Sequence, residues 1–176
     1  MKRELSVYQF AGFVFTTVFG SLFHFVYDWT NQSILVAPFS AVNESTWEHM
    51  KLLFFPSFVF ALIQSRYFSE YKNFWCVKLA GIVIGLLIIP ALFYTYNGAI
   101  GKSPDWINIV IFFIAAAIEF FIEYLLFKNE IFGCKYPKIA FLLICLIGVP
   151  FVVFTFATPA IPLFRDPVTG IYGIVS

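Results

Sequence analysis

The sequence has 176 residues, of which 61% are hydrophobic, 22% are aromatic and only 12% are charged. This composition lies far outside that of soluble globular domains, since a water-soluble core of this size has no room for 25 Phe side chains. A formal net charge of +1 and the lack of a long basic run exclude a nucleic-acid partner. The sequence therefore predicts a single all-α integral membrane domain in a lipid bilayer.

Five apolar stretches are long enough to cross the hydrocarbon core, which needs about 20 such residues per helix. They cover about 7–27, 49–68, 74–96, 106–127 and 138–157. The basic start of the chain resembles a signal peptide, but the apolar run after it is too long and lacks a cleavage site, so we interpret it as the first span. We expect the tail, 158–176, to pack on the outer face of the bundle.

The basic residues predict the orientation of this five-span bundle. A cytoplasmic N-terminus leaves eight of the eleven basic residues inside and three outside, and the C-terminus is then extracytoplasmic. The inner set is Lys2, Arg3, Arg66, Lys72, Lys78, Lys128, Lys135 and Lys138, and the outer set is Lys51, Lys102 and Arg165. Cys76 and Cys134 then lie toward the reducing side and Cys145 lies within a span, so no disulfide is expected.

In the first span, small and polar residues recur at three- and four-residue steps and therefore share one helix face. They are Thr17, Gly20, Ser21, His24 and Asp28. His24 and Asp28, one turn apart near the outer end, can both approach one ion or one substrate. The alternative is helix packing with a hydrogen-bonded histidine, because polar side chains in a membrane normally face the bundle interior.

The most polar stretch, 43–51, precedes the second span and contains Glu44, Glu48 and His49. Ser45 and Glu48 match the capping-box pattern, which gives Glu48 a structural explanation. Capping explains neither Glu44 nor His49. The predicted topology places both side chains at the same mouth of the bundle as the two polar groups that end the first span.

Two later spans carry small or acidic residues. Gly81 and Gly85 form a small-xxx-small surface, which we interpret as helix packing. Counting from Asp105 at about 1.5 Å per residue places Glu119 roughly 21 Å below the outer end, past the midplane. A carboxylate there costs about 2.5 kcal/mol or more, so a functional role is the default hypothesis for Glu119, and the alternative is a structural carboxyl that is protonated or paired inside the bundle. For Glu123 we favour a structural ion pair, with Arg66, Lys78 or Lys128 as the candidate partners.

The tail contains apolar residues and proline-glycine turns between Pro162 and Gly170. This composition predicts a segment that packs on the mouth of the bundle as a candidate lid. Arg165 is then a candidate counter-charge for Glu44 or Asp28.

Residues 43–51 and 162–173 resemble those of an uncharacterised bacterial family of small polytopic integral membrane proteins, a domain of unknown function. The resemblance covers the whole chain and implies the bacterial inner membrane, but it brings no activity and no site residues. A weaker similarity is to membrane-embedded metal hydrolases of the ceramidase and adiponectin-receptor type, which use Ser, Asp and His near a membrane face. The chain has five predicted spans instead of seven and lacks their His-x-x-x-His pair, so none of their residues is carried over.

The first hypothesis for function is the binding or transport of a cation or small polar solute. The ligand-binding residues would be His24, Asp28, Glu44, His49 and Arg165 at the mouth, with Glu119 as an inner station for a proton or ion. Depths of about 21 Å for Glu119 and about 6 Å for His24 argue against one shared metal sphere. Five helices leave little room for a monomeric pathway, so a homodimer is expected.

Two other hypotheses stay open. In a metal-dependent hydrolase acting at the outer leaflet, His24, Asp28 and His49 would bind a divalent metal such as Zn²⁺. Glu44 or Glu48 would then act as the general base on the bound water. In a purely structural protein, the same polar residues would only cap helices and specify packing.

Overall fold

The computed structural model describes residues 2–101, 104–129 and 132–174. Within these ranges the chain forms five α-helices and one 3₁₀ helix, with a single isolated β-bridge. The helices are α1 (Lys2–Trp29), α2 (Thr46–Ser65), α3 (Phe74–Ala99), α4 (Asp105–Asn129) and α5 (Pro137–Phe156), followed by the 3₁₀ helix Pro162–Phe164. The predicted all-α architecture is confirmed.

Four of the five helices are long and apolar enough to cross a membrane, judged by length and composition over the described ranges. They are α1 from Glu4, α3, α4 from Trp106, and α5. Large apolar side chains such as Phe10 on α1 and Leu146 on α5 are exposed on the outside of the bundle. An apolar exterior of this kind indicates a membrane protein, because water does not favour such a surface.

The remaining helix, α2, is the central element of the bundle. It contacts each of the other four helices and the 3₁₀ helix. Twelve of its 20 residues are buried, and these include the polar residues Glu48, His49 and Lys51. These polar residues keep α2 out of the set of helices that are apolar enough to cross a membrane, but their side chains are buried in protein instead of exposed to lipid. The weakly apolar character of the second predicted span therefore reflects burial within the bundle.

The bundle has two distinct ends. We call the mouth the end that carries loop 30–45, the start of α2 and the tail after α5, and we call the opposite end, with segments 66–73 and 132–136, the far end. The main apolar core lies between them and joins α2, α3, α4 and α5 through buried side chains such as Leu53, Ile82 and Phe151.

The tail folds back on the mouth. The ring of Phe164 packs on that of Trp47 in α2, with 4.6 Å between the ring centroids. Asn43 Nδ2 donates a hydrogen bond to the carbonyl of Gly173 at 2.9 Å. The Asp166 carboxylate accepts hydrogen bonds from two backbone N–H groups and closes a turn within the tail. The tail is therefore an ordered cover on the start of α2.

The far end contains a disulfide between Cys76 and Cys134, so the prediction of no disulfide is wrong. Side-by-side packing of α3 and α4 brings the first turn of α3 to segment 132–136, where Asn73 Nδ2 donates to the carbonyl of Phe132 at 2.9 Å. A sequence separation of 58 residues gave no sign of this approach. Disulfides persist in oxidising compartments, whereas the basic residues predict a cytoplasmic far end, so these two signals disagree about the side of a membrane on which the far end lies.

Candidate metal centre at the mouth

Loop 30–45 folds back over the last turns of α1 and carries Glu44 with it. The Ser40 hydroxyl donates to the carbonyl of Phe23 and accepts a hydrogen bond from the N–H of Tyr27 at 2.9 Å. The N–H of Ala41 donates to the same carbonyl of Phe23 at 3.2 Å. These bonds fix the loop on α1, and Glu44 follows only three residues later.

The start of α2 orients the second imidazole. Ser45 is the N-cap, and its side chain accepts a hydrogen bond from the N–H of Glu48, as the capping pattern predicted. The Ser45 carbonyl lies 2.9 Å from His49 Nδ1. A carbonyl can only accept, so Nδ1 donates and the Nε2 of neutral His49 is left as a free lone pair. The cap and the histidine therefore form one local unit that fixes the tautomer.

Three side chains from three different segments converge at the mouth. His24 Nε2 lies 3.4 Å from Glu44 Oε2, and His49 Nε2 lies 3.9 Å from the same oxygen. The two imidazole nitrogens and a carboxylate oxygen all lie within 4.8 Å of one another. Tetrahedral Zn²⁺ with bonds of about 2.0–2.2 Å holds its ligand atoms roughly 3.3–3.6 Å apart. The cluster is therefore close to the spacing that one such ion would require.

The Glu44 carboxylate is held in its charged form. Its hydrogen bond to the His24 side chain lowers the pKa of Glu44 from the ordinary value, with further help from the charge of that histidine, and this outweighs its partial burial. A carboxylate that stays ionised at neutral pH is available as a metal ligand or as the partner of an imidazolium.

The structure gathers part of the predicted ligand set and replaces one member. His24 and His49 meet as expected, but the carboxylate that joins them is Glu44, whereas Asp28 is exposed and lies outside the cluster. Arg165 is also exposed, and no ion pair within the described ranges joins it to Glu44 or Asp28. Within the described ranges, the tail therefore supplies no ion-pair partner to the Glu44 carboxylate.

Glu48 has a different role from Glu44. Its carboxylate lies 2.5 Å from Lys51 Nζ, and both side chains are buried. The same Glu48 oxygen accepts a hydrogen bond from the N–H of Val42 at 3.1 Å. Lys51 also donates to the Ala37 carbonyl at 2.8 Å and to Thr155 Oγ1 at 3.1 Å. Glu48 thus belongs to a buried network that joins loop 30–45, α2 and α5.

A cavity of about 90 Å³ opens beside the two imidazoles. Besides His24 and His49, its lining is mainly apolar and is supplied by α1, α2 and α4. The lining side chains are Ser21, Phe25, Leu52, Ile109 and Phe112, together with Gly20. A ligand that reached the cluster through this cavity would meet apolar walls and two imidazole edges.

Glu119 and Glu123 lie deeper in the bundle, away from the mouth cluster, and both are fully buried. Glu123 Oε2 lies 2.5 Å from Lys78 Nζ, which confirms the predicted ion pair and selects Lys78 among the three candidates. Neither carboxyl oxygen of Glu119 has a hydrogen-bond partner within the described ranges. The two carboxyl groups, one turn apart, therefore have unequal surroundings.

The glycines of α3 make room for these carboxyl groups. A Cβ added at Gly81 would stand 2.5 Å from Glu123 Cγ, and one added at Gly85 would stand 2.9 Å from Glu119 Oε2. The predicted role of the small-xxx-small surface in helix packing is confirmed. The groups of α4 that it accommodates are the two acidic side chains.

Two glutamines in the far half of the bundle are polar residues for which the sequence predicted no role. Gln9 on α1 and Gln64 on α2 are buried, and neither side-chain amide has a hydrogen-bond partner within the described ranges. The hydroxyls of Thr16 and Ser57 lie 3.4 Å apart across the same two antiparallel helices. Each glutamine is seven residues from one of these hydroxyls, so both amides lie at one level, two turns toward the far end. In the sequence, each glutamine is an isolated amide side chain in an otherwise apolar helix, and this pattern could have indicated a buried polar group.

A model of the family of unknown function DUF6512 matches residues 2–174. The match covers nearly the whole chain, so the protein belongs to this family. No curated protein and no solved structure matches the chain.

Proposed function

We propose that this member of the DUF6512 family binds a divalent transition-metal ion, with Zn²⁺ as the best chemical fit, at the mouth of a membrane-embedded helix bundle. The observation that carries the proposal is the convergence of His24, Glu44 and His49 from three separate segments. Two imidazoles and one carboxylate form a donor set that zinc proteins use, and three protein ligands leave a fourth position open. The hydrogen bond from His49 to the Ser45 carbonyl is the outer support typical of a metal-bound histidine.

We assign the site to cation binding before catalysis. A zinc hydrolase needs a carboxylate or imidazole that is free to take a proton from the bound water. Glu48 is engaged by Lys51 and Val42, and Glu44 lies between the two imidazoles as a ligand. The geometry therefore supports a site that holds a cation and leaves neither proposed general base available.

Hydrolysis is the second candidate, and the cavity beside the imidazoles is the observation in its favour. Its apolar walls suit an acyl or alkyl chain, and its contact with His24 and His49 would bring the polar end of such a chain to the metal. A protein that binds a cation at this site could also transport it. Because five helices leave little room for a pathway within one chain, we propose a homodimer for that role.

Zinc titration of the detergent-purified full chain, stripped with a chelator, tests the proposal by calorimetry and elemental analysis. We expect one equivalent of zinc per chain. His24→Ala, His49→Ala and Glu44→Gln should each weaken zinc binding by more than about 100-fold, beyond the usual effect of losing an outer support. Asp28→Asn is the matched control, because its carboxylate lies on the same helix one turn from His24 but outside the cluster.

Either of two results would contradict the proposed site. The first is the absence of zinc binding in the folded wild-type chain, which would leave the mouth cluster as a set of ion pairs. The second is loss of zinc in Asp28→Asn with zinc retained in Glu44→Gln, which would move the site to the metal ligands predicted from the sequence. Hydrolysis would rank first if zinc-loaded protein cleaved an acyl ester and Glu44→Gln retained zinc without that activity.

We further propose that the mouth faces the extracytoplasmic side of the bacterial inner membrane, with α2 as the fifth span. The excess of basic residues at the far end supports this orientation. Alkaline phosphatase fused after the tail should then be active, and green fluorescent protein at the same position should be dark. A bright and phosphatase-inactive pair of fusions would reverse the orientation and place the Cys76–Cys134 disulfide in the oxidising compartment.

A further inference from the structure

The second cluster of chemistry lies in the bundle interior, around Glu119. Two fully buried carboxyl groups, Glu119 and Glu123, lie one turn apart beside a single buried ammonium group. That ammonium, on Lys78, is 2.5 Å from Glu123 and also lies over the rings of Phe60 and Phe120. Glu119 is left without a hydrogen-bond partner for either oxygen within the described ranges.

Charge counting assigns one proton to this cluster. The charged groups that face Glu119 are Glu123 on its own helix and Lys78 on α3, while the Ser57 hydroxyl of α2 lies near it without a well-formed hydrogen bond to either oxygen. If both carboxyls were ionised, a net negative charge would be buried in an apolar interior, and such a charge is far more costly than a neutral acid. Glu123 holds the ammonium, so Glu119 holds the proton.

The far half of the bundle contains further buried polar groups that helix packing does not explain. Gln9 and Gln64 leave two amide nitrogens and two amide oxygens buried and unpartnered, and Glu123 Oε1 is in the same condition. Buried polar groups in proteins are nearly always hydrogen-bonded, and those that are not commonly mark a place that water or an ion reaches. Both amides lie in the far half of the bundle, as Glu119 and Glu123 do.

This interior cluster is separate from the mouth. Buried apolar residues of α2 and α4, including Leu53, Phe112 and Ala115, lie between it and the histidines. The chemistry also differs, since the interior cluster offers no imidazole and one of its two carboxyls already has a cation. A proposal for it therefore does not depend on metal binding at the mouth.

We propose that Glu119 is a proton-binding site of the bundle, which takes up and releases one proton beside Glu123 and Lys78. On release, the O–H bond of Glu119 breaks, the proton passes to water, and the electron pair stays on the carboxylate. The Lys78 ammonium then faces two carboxylates, so the released state carries one more buried negative charge than the resting state. This difference drives the proton back and makes Glu119 the titrating group of the cluster.

Dicyclohexylcarbodiimide, an apolar reagent that adds to protonated carboxyl groups, tests the proposal on the full chain in its membrane. We expect peptide mass mapping to locate one adduct on Glu119 and none on the exposed Glu70. Glu119→Gln should abolish the adduct. Glu123→Gln should slow labelling of Glu119 several-fold, because Lys78 would then be free to pair with Glu119 and displace its proton.

Infrared spectroscopy supplies a second measurement that needs no reagent to enter the bundle. The wild-type spectrum should contain the carbonyl stretch of a protonated carboxyl group, and this band should be missing in Glu119→Gln. A spectrum without that band would overturn the proposal, as would an adduct on Glu123 in place of Glu119. Labelling that sodium ions suppress at constant pH would also overturn it, because the ligand would then be a metal cation.

Discussion

Lys51→Met is expected to remove about 3–5 kcal/mol of folding free energy, which is a large part of the stability of a domain this size. The Lys51 ammonium is fully buried and holds Glu48 on α2, the Ala37 carbonyl in loop 30–45 and Thr155 on α5. Without it, the Glu48 carboxylate stays in the interior with the N–H of Val42 as its remaining partner. An unpaired buried charge is the reason for the large expected effect.

The thermal unfolding midpoint of the purified protein in detergent measures this effect. The double variant Lys51→Met with Glu48→Gln should recover most of the lost stability, because it removes the orphaned charge together with its partner. Lys72→Met, at an exposed lysine, is the control and should leave the midpoint within error. A Lys51→Met midpoint equal to that of the wild type would show that the buried pair contributes little.

The same lysine shows where sequence reasoning on the fold succeeded and where it failed. Helix positions could be predicted because long apolar runs must form helices in lipid, and α3, α4 and α5 lie within a few residues of the expected spans. The sequence predicted only the membrane side on which Lys51 lies, and it gave no sign that the side chain is fully buried. Its partners on loop 30–45 and α5 are distant in sequence. Contacts between such distant residues cannot be inferred from a single amino-acid sequence.

The mouth site was only partly predictable for a related reason. Alternating helix direction places His24 and the start of α2 at the same depth, so the meeting of His24 and His49 followed from the topology. The choice between Asp28 and Glu44 depended on how loop 30–45 folds back through Ser40 onto Phe23. That fold-back comes from hydrogen bonds between residues 17 apart, which helical periodicity does not describe.

The sequence predicted the acidic half of the interior cluster but not the helix face that packs against it. The four-residue spacing of Glu119 and Glu123 predicted a shared face, and a count along the helix gave the depth. The four-residue spacing of Gly81 and Gly85 gave a second face, but nothing in the sequence paired the two faces. Their match arises from the antiparallel register of α3 and α4, in which each glycine faces one carboxyl side chain.

Gly81→Leu is therefore expected to destabilise the protein on the order of 3 kcal/mol or more. A Cβ at this position would already stand 2.5 Å from Glu123 Cγ and 2.8 Å from Glu123 Oε1. The larger side chain would have to displace Glu123, and Glu123 cannot move without leaving Lys78. Two penalties then add, the overpacking of a tight helix contact and the separation of a buried ion pair.

Gly98→Leu is the matched control in the same helix, because a Cβ there meets no atom within 4 Å. It should leave the unfolding midpoint unchanged or raise it slightly, since Leu favours the helix over Gly by up to about 1 kcal/mol. Equal losses in the two variants would mean that any large side chain on α3 disturbs the protein. A selective loss at Gly81 would locate the effect at Glu123. It would also show that the glycines of α3 provide the space for the acidic pair. Larger residues there would prevent a buried ion pair and a neutral acid from lying one turn apart at this helix contact.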